Sequence, residues 1–156
     1  MSKRWEEYFL DLLPGIASKS KDPSTKVGAI ITGKDHGIRS TGYNNLPRFA
    51  DDNDPAKFER PLKYKWFEHA ERNAIYYAAK IGIPLDDCVL YVDWLPCAEC
   101  ARGIVQVGIS KVVIDGDSKS YNNADLRARW QEDHEIAMQM FKECGVEVVI
   151  FSRKSE

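Results

Sequence analysis

The chain has 156 residues, which is the size of one ordinary globular domain. Hydrophobic residues make up 44% of it and charged residues 29%, a composition that excludes an intrinsically disordered chain. No apolar run approaches the ~20 residues of a membrane-spanning helix, and acidic residues interrupt the N-terminal stretch where a signal peptide would be apolar. We therefore expect a single cytoplasmic domain over residues 1–156, with no membrane partner.

The charge balance and the cysteines narrow the choice of partners. The formal charge is -2, whereas a domain that binds long nucleic acids usually has a basic excess, so we expect no such partner. Of the four cysteines, Cys88, Cys97, Cys100 and Cys144, only the middle two are closely spaced. A cytoplasmic chain of this size needs no disulfides, so metal binding is the favoured interpretation of that pair.

The N-terminal half begins with a predicted helix and a hairpin. Apolar residues recur at helical spacing over residues 4–20, and Pro14 is expected to kink this helix or split it. Residues 27–32 and 38–43 have the pattern of two strands joined by a short turn. The polar stretch from residue 44 to about residue 65 is predicted to be irregular, and a loop this long in a compact domain is usually functional.

Helices and apolar strands alternate from residue 69 onwards. The predicted elements are helix 69–81, strand 88–92, helix 97–107, strand 111–114, a long helix ending at Gly145 and strand 146–151. This alternation predicts an α/β fold whose sheet is covered on both faces and whose C-terminal strands are parallel.

Two short motifs each open a predicted helix: His69-Ala70-Glu71 and Pro96-Cys97-Ala98-Glu99-Cys100. Two cysteines three residues apart place both sulfurs on one face of a helical turn. Together with one imidazole they give three ligands that suit zinc, and three protein ligands leave the open position of a catalytic site. Zinc in such a site lowers the pKa of a coordinated water towards ~7.

Glu71 lies two residues after His69, which is about 200° around an ideal helix. The two side chains can share a site only if His69 lies at the helix start, where its backbone is not yet helical. Glu71 could then act as a proton shuttle without ligating the metal. His-x-Glu followed by Pro-Cys-x-x-Cys is the signature of zinc-dependent nucleobase deaminases.

Other interpretations of the cysteine pair are a redox motif and half of a structural zinc site. The redox interpretation lacks the expected βαβ context at the chain start, and a structural site needs a fourth ligand nearby. Cys88 and Cys144 are predicted to be core residues, and His36 and His134 to be solvated side chains without a role.

The whole chain resembles the deoxycytidylate (dCMP) deaminases of the zinc-dependent cytidine deaminase superfamily. The matching segments lie, in family order over about residues 5–151, at residues 22–29, 42–44, 69–75, 95–101, 108–109, 121 and 144–146. The resemblance implies a three-layer α/β/α sandwich around a five-stranded mixed sheet. It also implies hydrolysis of dCMP to dUMP and ammonia, which supplies dUMP for thymidylate synthesis.

The resemblance further implies roles for residues around the metal. Zinc would be held by His69, Cys97 and Cys100, and Glu71 would protonate N3 of the base and carry a proton to the departing amine. The positions that match substrate-binding residues are Asn44 at the sugar, Tyr121 at the base or sugar, Lys26, Ala70 and Pro96. The structural alternatives are a strand-ending turn for Asn44 and a loop aromatic for Tyr121.

A basic run precedes the first motif. Arg60, Lys63 and Lys65 could offer charge to a phosphate, although a solvated basic run is the favoured interpretation.

Regulation and assembly are also implied by the resemblance. Many family members are hexamers that dCTP activates and dTTP inhibits, often with Mg²⁺ on the triphosphate. The matching regulatory positions are Tyr77, Lys80 and Asn45. The family commonly has glycine in place of Asn45, and asparagine tolerates a positive φ better than most residues.

Other functions stay open at this point. A related zinc deaminase could act on dCTP, a free cytosine nucleoside or adenosine in transfer RNA. The near-neutral charge disfavours the RNA substrate. A non-catalytic, zinc-stabilised nucleotide sensor is a further alternative, but a sensor would not need Glu71.

Overall fold

The computed structural model describes residues 1–154, and the last two residues of the predicted domain lie outside that range. The helices are α1 (Trp5–Ala17), α2 (Lys63–Trp66), α3 (Ala70–Ile81), α4 (Ala98–Gln106), α5 (Ala124–Arg129) and α6 (Gln131–Glu143). The strands are β1 (Gly28–Thr32), β2 (Ile38–Tyr43), β3 (Val89–Val92), β4 (Lys111–Asp115) and β5 (Glu147–Phe151). Within the described range, no helix combines the length and apolar character needed to cross a membrane.

The strands form one mixed sheet in the order β2-β1-β3-β4-β5. Strand β1 pairs antiparallel with β2 and with β3, whereas β4 is parallel to both β3 and β5. The predicted hairpin and the predicted parallel C-terminal strands are therefore confirmed.

Side chains alternate between the two faces of the sheet and define two cores. Ile30 and Val113 pack on one face with Phe9 and Leu13 of α1. The neighbouring strand residues point the other way, into a larger core with residues of α3, α4 and α6. Helices thus cover both faces, which confirms the predicted three-layer α/β/α sandwich.

Three predicted elements differ in detail. Pro14 does not split α1, which continues to Ala17; because proline has no N–H, the helix lacks the one hydrogen bond that residue 14 would donate to the carbonyl of Leu10. The segment predicted to be irregular contains a 3₁₀ helix at Pro55–Phe58 and the short helix α2. The predicted long helix is two helices that meet at Trp130, whose φ of -107° and ψ of 10° are not helical.

His134 is buried, so the prediction of a solvated side chain is wrong. It lies three residues before Ala137 and seven before Phe141, and both of these are fully buried on the same face of α6. This spacing was already visible in the sequence. His36 is exposed, as predicted, and its ring stacks on Trp5 with the ring centroids 4.2 Å apart.

Cys88 is 4% exposed and belongs to the core as predicted, but Cys144 is exposed. Helix α6 ends at Glu143, so Cys144 lies just beyond its buried face. The chain then turns at Gly145, which has a left-handed φ of 72°, towards β5.

Candidate active site

The start of α3 brings His69 and Glu71 to one cavity. His69 is the residue before the helix, with an extended φ of -79° and ψ of 155°, and Glu71 is in the first turn. Both side chains line the same cavity, and Glu71 is only 2% exposed. The predicted geometry, with a histidine not yet helical and a glutamate just inside the helix, is what the structure has.

Strand β2 fixes the position of this helix start. A Cβ atom on Gly42 would lie 2.4 Å from the Ala70 carbonyl oxygen and 2.5 Å from the Ala74 nitrogen, so only glycine permits this approach. The Asn73 side chain donates a hydrogen bond to the Tyr43 carbonyl at 2.8 Å. Helix α3 therefore lies directly against β2.

The second motif supplies two thiols to the same place. Cys97 precedes the first residue of α4, and its Sγ accepts a hydrogen bond from the Cys100 N–H at 3.4 Å. The Sγ atoms of Cys97 and Cys100 each lie 3.4 Å from Nδ1 of His69, and the three ligand atoms lie within 4.8 Å of one another. One imidazole nitrogen and two thiol sulfurs form a donor set that fits zinc.

The protonation preferences of these groups depend on their burial and on one another. Hydrogen bonding by Cys100 lowers the pKa of Cys97, and the neighbouring His69 lowers it further. Burial raises the pKa of Cys100. Burial also raises the pKa of Glu71, although the nearby His69 opposes this. Glu71 is thus a carboxyl that binds a proton more readily than an exposed one.

The cavity beside these groups encloses about 720 Å³ of empty space, a volume that includes the open solvent at its mouth. Asn44 and Ala70, two of the predicted substrate residues, line it. Lys26, Pro96 and Tyr121 are not among the described lining residues, so their substrate-binding roles stay predictions.

Asn44 is held by the protein itself. Its Oδ1 accepts from the Val27 N–H at 2.8 Å, and its Nδ2 donates to the Thr25 carbonyl at 2.8 Å and to Asp22 Oδ2 at 3.3 Å. The side chain therefore ties the end of β2 to the segment before β1. Only the second lone pair of Oδ1 remains for a ligand.

Aromatic side chains that the sequence did not assign to the site form part of its wall: Tyr64, Phe67, Trp94 and Trp130. The ring centroid of Trp130 lies 6.0 Å from that of His69 and 5.8 Å from that of Tyr64, edge to face in both cases. Local sequence carried one signal for Trp130, namely a large aromatic residue among the charged residues of the predicted long helix.

The three basic residues before His69 have different environments in the structure. Lys63 is buried and forms an ion pair with Asp22 at 2.8 Å, so the interpretation of a solvated run is wrong for this residue. Arg60 is exposed and lines the cavity, whereas Lys65 is exposed and lies outside the described lining.

The three predicted regulatory residues lie in a second cavity. Asn45, Tyr77 and Lys80 all line it. Asn45 is not among the described residues with a positive φ; instead it pairs with Glu68 through two backbone hydrogen bonds of 3.1 and 2.9 Å. The expected left-handed turn at this position is therefore absent from the described chain.

Comparison with known proteins decides the family. A family model described as the cytidine and deoxycytidylate deaminase zinc-binding region matches residues 3–115. The chain belongs to this family. The predicted membership of the zinc-dependent cytidine deaminase superfamily is confirmed, and the cluster of His69, Cys97 and Cys100 fits the zinc binding of this family.

Individual relatives are similar to this deaminase over most of its length. An uncharacterized deaminase in the luxG 3' region of Aliivibrio fischeri is 38% identical over 148 residues, covering 95% of this chain and 94% of the relative. Deoxycytidylate deaminase of Mus musculus is 34% identical over 155 residues, covering 96% of this chain and 81% of the relative. The crystal structure of dCMP deaminase from the cyanophage S-TIM5, at 24% identity, matches with a TM-score of 0.71 over 97% of this chain and 100% of that chain, which shows a shared fold.

Proposed function

We propose that the deaminase hydrolyses dCMP to dUMP and ammonia in a zinc-dependent reaction. The observation that carries the proposal is the meeting of His69, Cys97, Cys100 and the buried Glu71 at one cavity. His69, Cys97 and Cys100 would hold the zinc ion, which would supply the Lewis acidity that activates water near neutral pH. The remaining chemistry is proton transfer, for which the buried carboxyl of Glu71 lies beside these ligands.

Glu71 moves the protons. It protonates N3 of the cytosine ring, which makes C4 more electrophilic, and it then carries the proton of the attacking water to the amino group that leaves as ammonia. Burial raises the pKa of Glu71, so the carboxyl can hold a proton between these two transfers. Its place in the first turn of α3 keeps it beside the ligands without making it one of them.

The choice of dCMP rests on the relatives. Deoxycytidylate deaminases of Mus musculus and Homo sapiens are 34% and 36% identical to the chain. The cyanophage enzyme, which shares the fold, has been crystallised in complex with dCMP and dUMP. We propose that the product dUMP feeds thymidylate synthesis.

A substrate panel tests the proposal. Zinc-loaded protein is incubated with dCMP, CMP, dCTP, deoxycytidine and an RNA hairpin, and ammonia release is followed. The expected result is that dCMP has the highest kcat/KM. Turnover of nucleosides, dCTP or RNA without turnover of dCMP would reject dCMP as the substrate, and release from none of them would favour a non-catalytic nucleotide sensor.

Regulation by dCTP as activator and dTTP as inhibitor is a further part of the proposal, with Mg²⁺ accompanying the bound triphosphate. It is supported by the position of Asn45, Tyr77 and Lys80 at one cavity. Adjacent residues of the chain serve the two cavities: Asn44 lines the first and Asn45 the second. Occupation of one cavity can therefore act on the other through the same short segment.

Assembly into a homo-oligomer, with a hexamer favoured, and a cytoplasmic location are also proposed. Helix α3 exposes Tyr76, Tyr77 and Ile81, an apolar surface that a second copy of the chain could cover. A reducing compartment keeps Cys97 and Cys100 as thiols that can bind a metal.

A further inference from the structure

One lysine and one arginine, Lys63 and Arg60, are among the residues that line the active-site cavity, and their surroundings differ. Lys63 Nζ donates to Asp22 Oδ1 at 2.8 Å and to Ser24 Oγ at 2.9 Å. The exposed fractions of the Lys63 and Asp22 side chains are 8% and 5%, so both charges are buried. The Lys63 ammonium is thus compensated within the protein.

Asp22 remains ionised in this pair. Burial opposes its ionisation, but Lys63 and the backbone N–H groups of Ser24 and Thr25 outweigh that effect and hold the pKa of the carboxyl below its ordinary value. Asn44 Nδ2 also donates to Asp22, at 3.3 Å. The pair is therefore a neutral part of the cavity wall.

Arg60 has a different environment. Its side chain is exposed, and among residues 1–154 no carboxylate lies within ion-pair distance of it. Its guanidinium lies 5.9 Å from the centre of the Tyr64 ring. The other carboxylate of the described lining, Glu71, lies beside the metal ligands. Arg60 is consequently the uncompensated basic side chain of this cavity.

A row of rings connects Arg60 to the metal ligands. Tyr64, under the Arg60 guanidinium, is 5.8 Å from Trp130, and Trp130 is 6.0 Å from His69. Along this row, the rings of Tyr64 and Trp130 come between Arg60 and His69 in the cavity wall. A nucleotide has the matching layout, because its base and its phosphate are separated by the sugar.

We infer, building on the proposed deamination of dCMP, that Arg60 binds the 5′-phosphate of the nucleotide while the base lies at Glu71. The planar guanidinium can donate two parallel hydrogen bonds to phosphate oxygens. Lys63, which the sequence offered equally, shapes the wall instead. The site then takes nucleoside monophosphates in preference to nucleosides.

The test measures dUMP binding by titration calorimetry and dCMP kinetics on zinc-loaded protein, for the parent and three variants. Arg60→Gln is expected to weaken dUMP binding and to raise KM for dCMP by about 10- to 100-fold, with kcat retained at saturating substrate. Arg60→Lys keeps the positive charge but cannot donate the two parallel hydrogen bonds of a guanidinium. Its dUMP affinity and its KM for dCMP are therefore expected to lie between those of the parent and of Arg60→Gln. Lys65→Gln, from the same basic run but outside the described lining, is the matched control and should stay within about twofold of the parent.

Three results would overturn the inference. These are dUMP affinity of Arg60→Gln equal to that of the parent, equal weakening by Lys65→Gln, and a loss of kcat at unchanged KM. If the parent binds no dUMP, the phosphate subsite is also rejected. Failure of the parent to release ammonia from dCMP would instead reject the proposed function, and the dUMP titration would still decide the role of Arg60.

Discussion

At the scale of single residues, the site depends on where α3 begins. His69 ends an extended segment, Ala70 begins the helix, and Glu71 enters the first turn with its carboxyl buried. If the helix began one turn earlier, His69 and Glu71 would point about 200° apart. The close contact of Gly42 with Ala70 fixes this boundary from the side of the sheet.

Asp93, at the end of β3, gives a prediction on pH dependence. Burial raises its pKa from 3.8 to about 7, and the Gly28 N–H, which donates to it at 3.3 Å, opposes the rise only in part. Between pH 3.8 and about 7 the folded state keeps a proton that the unfolded state loses, so this group makes stability fall as pH rises and has no further effect above that range.

Asp93→Asn should remove that fall, because an amide can still accept the Gly28 hydrogen bond but does not titrate. The difference in unfolding free energy between variant and parent should grow with pH, by at most about 1.4 kcal/mol per pH unit inside the window. Urea unfolding at several pH values measures it. Parallel pH profiles for the two proteins would show that Asp93 is not held protonated.

Some residues of the site could be predicted from their neighbours in the sequence, whereas others depend on contacts with distant parts of the chain. The sequence predicted four of them because they occur in two short motifs: His69 and Glu71 are two residues apart, and Cys97 and Cys100 are three residues apart. Lys63 could not, because its burial depends on Asp22, far away in the chain. Local sequence shows only that Lys63 is basic.

At the scale of elements, a side chain of α6 forms a hydrogen bond with the first turn of α4, which carries the cysteine pair. The Asp133 side chain accepts a hydrogen bond from the Ala98 N–H at 2.8 Å, at the first residue of α4. This N–H is one of the donors that a helix start leaves without an internal partner. Asp133 therefore holds the turn that carries Cys97 and Cys100.

Asp133→Ala is expected to weaken zinc binding by about 10- to 100-fold, because the turn with both thiols loses its anchor. Competition with a chelator measures the affinity, and Glu132→Ala, an exposed acid on the same turn of α6, is the control. A lower melting temperature of the metal-free protein with unchanged zinc affinity would mean that Asp133 contributes only to folding.

The elements themselves were predicted well where apolar patterning was strong. Strands β3, β4 and β5 each lie within one residue of the predicted ranges. The break between α5 and α6 was missed, because Trp130 leaves helical geometry where its ring packs against His69 and Tyr64. Contacts between distant segments overrode the helical pattern there.

At the scale of the whole molecule, α3 separates two cavities. Its first turn, with Glu71, lines the active-site cavity, while Asn73, Tyr77 and Lys80 line the second one. A ligand in the second cavity would thus contact the helix whose start positions Glu71. The family resemblance suggested the residues of the proposed regulation, and in the fold they lie on or beside the helix that carries Glu71.

The proposed inhibition by dTTP predicts a shift in the curve of reaction rate against dCMP concentration. In the parent, dTTP should raise the dCMP concentration needed for half-maximal rate, by about tenfold for a coupling of ordinary size. Lys80→Glu should remove this shift, because it replaces a cation that lines the second cavity by an anion, which would repel a triphosphate. Lys65→Glu, outside both described linings, should respond to dTTP like the parent, and a parent that ignores dTTP would contradict the regulatory proposal.

The central claim is that Glu71 transfers the protons in a zinc-dependent deamination of dCMP. It is tested most directly by measuring ammonia release from dCMP for the parent and for Glu71→Gln, with the zinc content of both determined. The account predicts that the variant keeps about one zinc ion per chain, because Glu71 is not a ligand, and that its rate falls at least about a thousandfold. Ammonia release near the parental rate by the zinc-loaded variant would contradict it.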